Sequence, residues 1–304
     1  MTSLNIDLAA IPDLTGKTAV ITGGSSGIGL EAVKIMVQKG ATVHILDRNE
    51  PGEAVQGAHF HQCSVTNWAE LRTIMTSLGP FHMVFANAGV VERTNYFDDQ
   101  FDADGHLAAP DNTLLEINLC GVLHTVKLAW SIMKRHGIHG SIVLTASTTA
   151  YSPEVIIPVY SAGKAALVNL VRSLRHCTIL DHITINAVAP AGTLTPMIAE
   201  HSQLLIDSGV LVSKPSVVGM ALVYSATATQ DRRVDVYGRE KEGDIWKSER
   251  WNGRVIYTLG DTYTELEETT ADLRPFWFGK ENWKQTRFQQ AATDYRQGVD
   301  EPRM

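Results

Sequence analysis

Cysteine is scarce in this 304-residue chain: Cys63, Cys120 and Cys177 are too few and too scattered to form a disulfide framework. Long apolar runs are missing too, and none approaches the roughly 20 residues that span a bilayer. The opening residues, MTSLNIDLAAIPDLTGK, lack the basic stretch and apolar core of a signal peptide. Positive charge is also in short supply. Lys and Arg number 26 against 33 Asp and Glu, for a net charge of −7, which argues against nucleic acid and anionic membranes as partners. What remains is a cytoplasmic globular protein, with 44% hydrophobic and 19% charged residues.

Between residues 17 and 190, β-branched runs alternate with longer helical patterns. KTAVIT (17–22), ATVHIL (41–46), HMVFA (82–86), SIVLTA (141–146) and ITINAVA (183–189) read as buried strands. Helical periodicity fills 28–39, 67–79, 112–136 and 157–180. A further strand, GRVIYTL (253–259), follows a helix near 215–228. This alternation predicts an α/β fold: one doubly wound parallel sheet of about seven strands, with helices on both faces, in a single domain. Two stretches break the rhythm. Residues 230–252 are charged and expected as a surface excursion. Residues 261–304 are expected as a C-terminal extension beyond a catalytic domain of residues 1–260. The aromatic segment RPFWFGKENW within them predicts packing on the body or on a partner subunit rather than disorder.

The first strand runs into TGGSSGIGLEA (22–32), in which Gly23, Gly27 and Gly29 form G-x-x-x-G-x-G. Glycines let the backbone turn tightly and approach a pyrophosphate, and the next helix aims its N-terminal amides at the phosphates. Gly23, Ser25, Ser26, Gly27, Ile28 and Gly29 are therefore dinucleotide candidates, with Thr22 as a tether for the loop. Asp47 ends the second strand, where a carboxylate accepts hydrogen bonds from ribose hydroxyls and repels a 2′-phosphate. That favours NAD over NADP, although Arg48 beside it could meet such a phosphate. Further along, VYSAGKAAL places Tyr160 and Lys164 one helical turn apart on one face.

The glycine loop, ANAG (86–89), Ser147 in LTAST, and Tyr160 with Lys164 occur in an order that resembles the short-chain dehydrogenase/reductase family. The resemblance covers residues 16 to about 260, and the piece after GRVIYTL is similar to fungal members. INLCG supplies Asn118, and NAVAPAGTLTPM (186–197) supplies Pro190 and Thr195. The resemblance implies a Rossmann-like fold and hydride transfer between a nicotinamide cofactor and an alcohol or ketone. It makes Tyr160 the acid/base, with Ser147 bonded to the substrate oxygen and Asn118 holding a water that relays protons to Lys164. A phenol with a pKa near 10 is a poor base at neutral pH. Lys164 and the positive nicotinamide are therefore expected to lower its proton affinity, Lys164 also holding the nicotinamide ribose. Ser64, Val65, Asn87, Ala88 and Gly89 complete the implied cofactor set, Asn87 mainly as a brace. The same resemblance pairs helices 112–136 and 157–180 across a subunit interface, so a homodimer or homotetramer is expected.

Two departures from the family pattern stand out. Ser64 replaces an acid near adenine, and Pro190-Ala191-Gly192 shifts a glycine by one place. Substrate contacts are expected from Tyr151 to Val159, the substrate loop 191–213, and Val90 to Asn95, with Val155, Ile156 and Met197 foremost. Such a lining suits a small apolar secondary alcohol or ketone, and the fungal resemblance suggests a natural-product tailoring step. His59, His61 and Cys63 alternate in HFHQC and invite a metal reading, but three ligands and a metal-free mechanism leave no metal expected. Cys120 reads as a small core side chain. The rival readings are a non-redox enzyme on the same fold (dehydratase, epimerase or cyclase) and an NAD-binding sensor without turnover. Titration of the protein with both dinucleotides is expected to give tighter binding of NAD; tighter binding of NADP would overturn the reading of Asp47.

Overall fold

A computed structural model describes residues 2–296. In chain order its strands are β1 (Ser3–Leu4), β2 (Thr18–Thr22), β3 (Thr42–Asp47), β4 (Ala58–Gln62), β5 (Met83–Ala86), β6 (Ser141–Thr145) and β7 (Thr184–Pro190). A separate pair, β8 (Thr229–Gln230) and β9 (Glu249–Arg250), precedes β10 (Val255–Leu259) and β11 (Thr262–Glu265). The main sheet has nine strands in the order β1-β11-β10-β7-β6-β5-β2-β3-β4. From β10 to β4 every pairing is parallel, while β11 and β1 join antiparallel at one edge.

Alternate residues of each central strand enter two different cores, which is why these strands read as unbroken apolar runs. Val20 faces a core shared with Val84, Ile142 and Ile185. Its neighbours Ala19 and Ile21 face another, shared with Phe85, Val143 and Val188. The helices are α1 (Gly27–Gln38), α2 (Trp68–Ser77), α3 (Thr113–Leu115), α4 (Gly121–Arg135), α5 (Pro158–Thr178), α6 (Ala199–Asp207) and α7 (Pro215–Thr227). Leu71 and Met75 of α2, Val126 of α4 and Leu167 of α5 close the first core. Val33 and Met36 of α1, with Val218 and Leu222 of α7, close the second. Each such fully buried side chain contributes on the order of 1.5–3 kcal/mol. The strand order reverses beside β2, with β3 on one side and β5 on the other. A crevice beyond the carboxyl ends of those strands is where an open α/β sheet binds ligands.

Two expectations need correction. The boundary at residue 260 cuts a hairpin, because β11 pairs with β10 from Leu259↔Thr262 to Ile256↔Glu265 and holds β1 on its other side. The charged stretch 230–252 is a surface excursion only in part: residues 241–244 and 246–248 are exposed, while Val234 and Val236 are buried. Some of its charges are met by partners, Arg233 with Glu249 at 2.9 Å and Asp235 with Arg274 at 2.7 Å. Beyond β11 come α8 (Glu267–Asp272), α9 (Arg274–Phe278) and α10 (Lys280–Ala292). The Trp283 ring of α10 meets the guanidinium groups of Arg274 and Arg287, 4.5 and 5.9 Å from its centre. Phe276 and Trp277, by contrast, are 75% and 64% exposed.

Glu267 ties this extension to the body. Its carboxylate accepts two hydrogen bonds from Arg172 of α5, both 2.8 Å, and one from the Tyr151 hydroxyl at 2.7 Å. Arg175 lies 3.7 Å away and is equally buried. Removing one partner of a buried charged group leaves the others uncompensated, at a cost of about 3–5 kcal/mol. Glu267→Ala is therefore expected to lower the urea midpoint by that amount of stability, and a midpoint equal to wild type would show that the extension is not anchored here.

Candidate active site

The site is assembled where β2, β5 and β6 end. The Thr22 hydroxyl accepts hydrogen bonds from the amides of Asn87 and Ala88, both at 3.1 Å. The Asn87 side chain donates to the carbonyls of Thr22 and Gly23 at 3.2 and 3.0 Å and accepts from the Thr145 hydroxyl at 2.9 Å. Thr145 in turn offers its carbonyl to Lys164 Nζ at 2.7 Å. A continuous set of hydrogen bonds thus runs from the glycine loop to the lysine of α5.

Above it lies a cavity of about 690 Å³ that reaches from Asp47, Arg48, Ser64 and Val65 at one end to Ser147, Tyr160 and Lys164 at the other. At the glycine loop the cavity wall is bare backbone. Gly27 has φ +52°, and a Cβ there would stand 3.1 Å from Thr195 Cγ2. A Cβ on Gly29 would meet the Gly23 carbonyl oxygen at 2.1 Å, so only glycine allows α1 to start this close. Ser26 caps α1 without a side-chain hydrogen bond, leaving the helix amides free to receive a phosphate. Asp47 stands at the far end, its carboxylate accepting from the Ser25 and Asn49 amides at 3.1 and 3.3 Å. These features fit a dinucleotide lying across the sheet switch point.

At the other end Pro158 starts α5 and puts Tyr160 in its first turn. The Tyr160 amide has no helical partner there and donates to Glu92 Oε2 at 2.8 Å. Ser147 stands beside the phenol, its hydroxyl accepting from the Thr149 amide at 3.2 Å. Burial pushes the phenol's pKa up, the neighbouring Ser147 hydroxyl offsets part of this, and the Glu154 carboxylate adds to the rise. Burial also brings Lys164 down to about 8. Its Nζ lies 5.5 Å from the centre of the Tyr160 ring. Among the chain's own groups the phenol is thus raised, chiefly by desolvation, whereas the expected lowering belongs to Lys164 together with a positive nicotinamide.

Asn118 is buried inside a π-helical turn, Glu116–Cys120, that interrupts what the sequence presents as one helix. Its amide exchanges two hydrogen bonds with the Val90 backbone, each 2.8 Å, and so ties the loop after Ala88 and Gly89 to the turn that leads into α4. Pro190, Thr195 and Met197 line the cavity, as do Gly23, Ser26, Ile28, Ala88 and Gly89. Thr22 and Ser25 are buried behind the loop, Thr22 acting through its hydroxyl and Ser25 through its backbone amide. Val155 and Ile156 are 93% and 74% exposed and stand outside the lining, which takes Glu154 and Ile157 from that loop instead. The Ser64 hydroxyl is engaged by Thr66 at 2.9 Å. Cys120 is exposed, not a core side chain. His59 and His61 do share a face, joined by His44 across the strand pair, with His44 Nδ1 3.0 Å from His61 Nε2. Sequence reading missed Glu92, Glu116, Thr148, Thr149 and Glu154. Glu92 and Glu154 fell within its substrate segments, but no periodicity distinguishes an inward side chain from an outward one in a loop.

Comparison with known proteins agrees with this geometry. The short chain dehydrogenase family model matches residues 17–204. A short-chain dehydrogenase/reductase of Stachybotrys chlorohalonatus, ATR7, is 51% identical, the alignment covering 98% of this chain and 96% of that one. Its counterpart prx4 of Penicillium rubens is 48% identical over 97% of this chain and 90% of its own. Among solved structures, a short-chain dehydrogenase/reductase from Mycobacterium marinum shares the fold with a TM-score of 0.60 at 24% identity, covering 73% of this chain and 92% of that one. The chain belongs to the short-chain dehydrogenase/reductase family, a family of oxidoreductases that binds a nicotinamide dinucleotide.

Because the Glu154 carboxylate raises the phenol, Glu154→Gln is expected to let Tyr160 ionise at lower pH. Ultraviolet difference titration of the tyrosinate band, against a Tyr160→Phe background, reads this directly. An unchanged or higher midpoint would remove Glu154 from the electrostatics of the site.

Proposed function

We propose that the protein is an NAD-dependent oxidoreductase that moves a hydride between the nicotinamide and a small, largely apolar secondary alcohol or ketone. The observation that carries this reading is the meeting of the Ser147 and Tyr160 hydroxyls, with Lys164 alongside, in the cavity that also contains the glycine loop. Two hydroxyl-bearing side chains lining one cavity can both turn to a third oxygen, that of the substrate. Ser147 then donates to the substrate oxygen and Tyr160 exchanges the proton with it. Gly23, Gly27, Gly29 and the amides of α1 would receive the pyrophosphate, Asp47 the adenosine ribose, and Lys164 the nicotinamide ribose. When bound, the dinucleotide supplies the hydride donor or acceptor and, oxidised, a positive ring charge. Asp47 at the end of β3 supports NAD, since a 2′-phosphate would meet its carboxylate.

Substrate oxidation needs the phenolate, and burial opposes it. The lysine therefore has work beyond holding ribose: its ammonium, still mostly protonated at pH 7 with a pKa of about 8, is a cation buried beside the phenol. Asn118 contributes by fixing the Val90 backbone, and a water relay through it belongs to the same proposal. Assembly as a homodimer or homotetramer through α4 and α5, a cytoplasmic location, and a role in natural-product tailoring complete the reading. Its support is the family's frequent oligomers and the fungal relatives near half identity. No helix among the described residues is long and apolar enough to cross a membrane.

Tyr160→Phe removes the exchanging proton and nothing else of comparable size. Turnover of secondary alcohols and ketones, followed by absorbance of the reduced nicotinamide, is expected to fall by roughly 10²–10⁴-fold, with NAD affinity within a factor of two or so of wild type. Turnover equal to wild type would reject the mechanism.

A further inference from the structure

The loop that follows β5 is tied to three separate elements between residues 87 and 92. Asn87 donates to the carbonyls of Thr22 and Gly23, and Val90 exchanges two hydrogen bonds with Asn118. The third tie is Glu92, whose Oε2 accepts from the Tyr160 amide at 2.8 Å across 68 positions of sequence. Between the ties, Ala88, Gly89, Val90 and Val91 line the cavity.

The start of α5 has little else to hold it. An amide in the first turn of a helix has no carbonyl one turn back to bond. Among the described residues, Ile157 stands at the cap position without a side-chain hydrogen bond, and the first turn contains no acid. Pro158, which opens the helix, supplies no N–H. The chain enters through residues 152–156, all of them exposed. Lys164, one turn further on, has the Thr145 carbonyl as its anchor. At Tyr160 the backbone is anchored by Glu92, which brings from a distant loop the acceptor, and the negative charge, that a helix N-terminus favours.

We infer that Glu92 is a positioning residue: by bonding the Tyr160 amide it fixes where the phenol stands relative to the loop that lines the cavity. The inference rests on the proposed function for what Tyr160 does. Glu92 acts as a hydrogen-bond acceptor on backbone, so its effect reaches the chemistry through Tyr160 alone. Through it the wall formed by Val90 and Val91 and the tyrosine are held as one piece. The glycine loop, Asp47 and Lys164 do not depend on this bond, so losing it leaves dinucleotide binding in place. A misplacement of about 1 Å at a reacting group can cost roughly 10²-fold in rate, and the loss therefore falls on kcat.

The test compares Glu92→Ala, Glu92→Gln and Glu92→Asp with wild type. With the secondary alcohol or ketone that wild type turns over fastest, alanine is expected to lower kcat by roughly 10–100-fold. The dissociation constant of NADH, read by fluorescence, is expected to stay within about threefold. Glutamine offers an oxygen of the same reach and should bring kcat back to within about threefold of wild type, with the pH midpoint of kcat unshifted. Aspartate keeps the charge but is one methylene short, and should fall below glutamine; this comparison still decides the matter if the alanine variant does not fold. Equal kcat in wild type and alanine, equal losses in alanine and glutamine, or aspartate matching or exceeding glutamine overturns the assignment. Hydrogen exchange at the Tyr160 amide of the protein without dinucleotide reads the tie independently of turnover. It is expected to quicken by about tenfold or more in alanine and to stay near wild type in glutamine. Faster exchange in alanine, in a protein whose wild type reduces or oxidises nothing on the panel, keeps the tie and rejects the oxidoreductase reading. Wild-type turnover with exchange and kcat unchanged in alanine rejects Glu92 alone.

Discussion

The hydrogen-bonded path from Lys164 through Thr145 and Asn87 to the Gly23 carbonyl is the constraint on which the site depends. It crosses the carboxyl ends of β6, β5 and β2 and uses a backbone or side-chain group from each. All of it is buried or nearly so, where an unmade hydrogen bond is expensive and a made one is rigid. The lysine that would hold one end of a dinucleotide is thereby fixed relative to the loop that would hold the middle. Asn118 extends the frame, since its bonds to Val90 fix the strand-end loop that passes between them.

The same burial that makes this frame rigid works against the chemistry. Tyr160 is pushed away from ionisation and Lys164 toward neutrality, both chiefly by desolvation. Acidity at the phenol is thus not a property of the Tyr-x-x-x-Lys spacing alone. It belongs to the tyrosine with its full electrostatic surroundings, which include the Ser147 hydroxyl in favour and Glu154 against.

The extension and the charged stretch before β10 bear on the site through one turn. Tyr151 closes the short helix that starts at Ser147, and its hydroxyl is held by Glu267 from α8. Glu267 is held in turn by Arg172 of α5, the helix that carries Tyr160 and Lys164. The C-terminal part therefore braces from behind the segment that carries Ser147 and the helix that carries Tyr160 and Lys164. Such a link has no local sequence signature, because an Arg and a Glu separated by 95 positions meet only once the sheet has formed.

Much of the fold and of the site could be read in the chain before any coordinates. The strands KTAVIT through GRVIYTL, the helices between them and the glycine loop announce themselves through local periodicity, and Ser147, Tyr160 and Lys164 through their resemblance to a family pattern. Those signals are set by neighbours within one turn or one strand. Illegible were β11 and its partner β1, the packing of residues 230–252, and the direction in which loop side chains point. Val155 and Ile156 were chosen for apolar character and face outward, while Glu154 and Thr149 beside them face the cavity. Apolar identity tells that a side chain can be buried; only the path of the backbone tells on which side it lies. Sequence alone therefore determined the class of chemistry, because that chemistry needs particular groups at particular spacings. Tertiary structure decided the proton affinities and the shape of the substrate end, because both depend on desolvation by residues far apart in the chain.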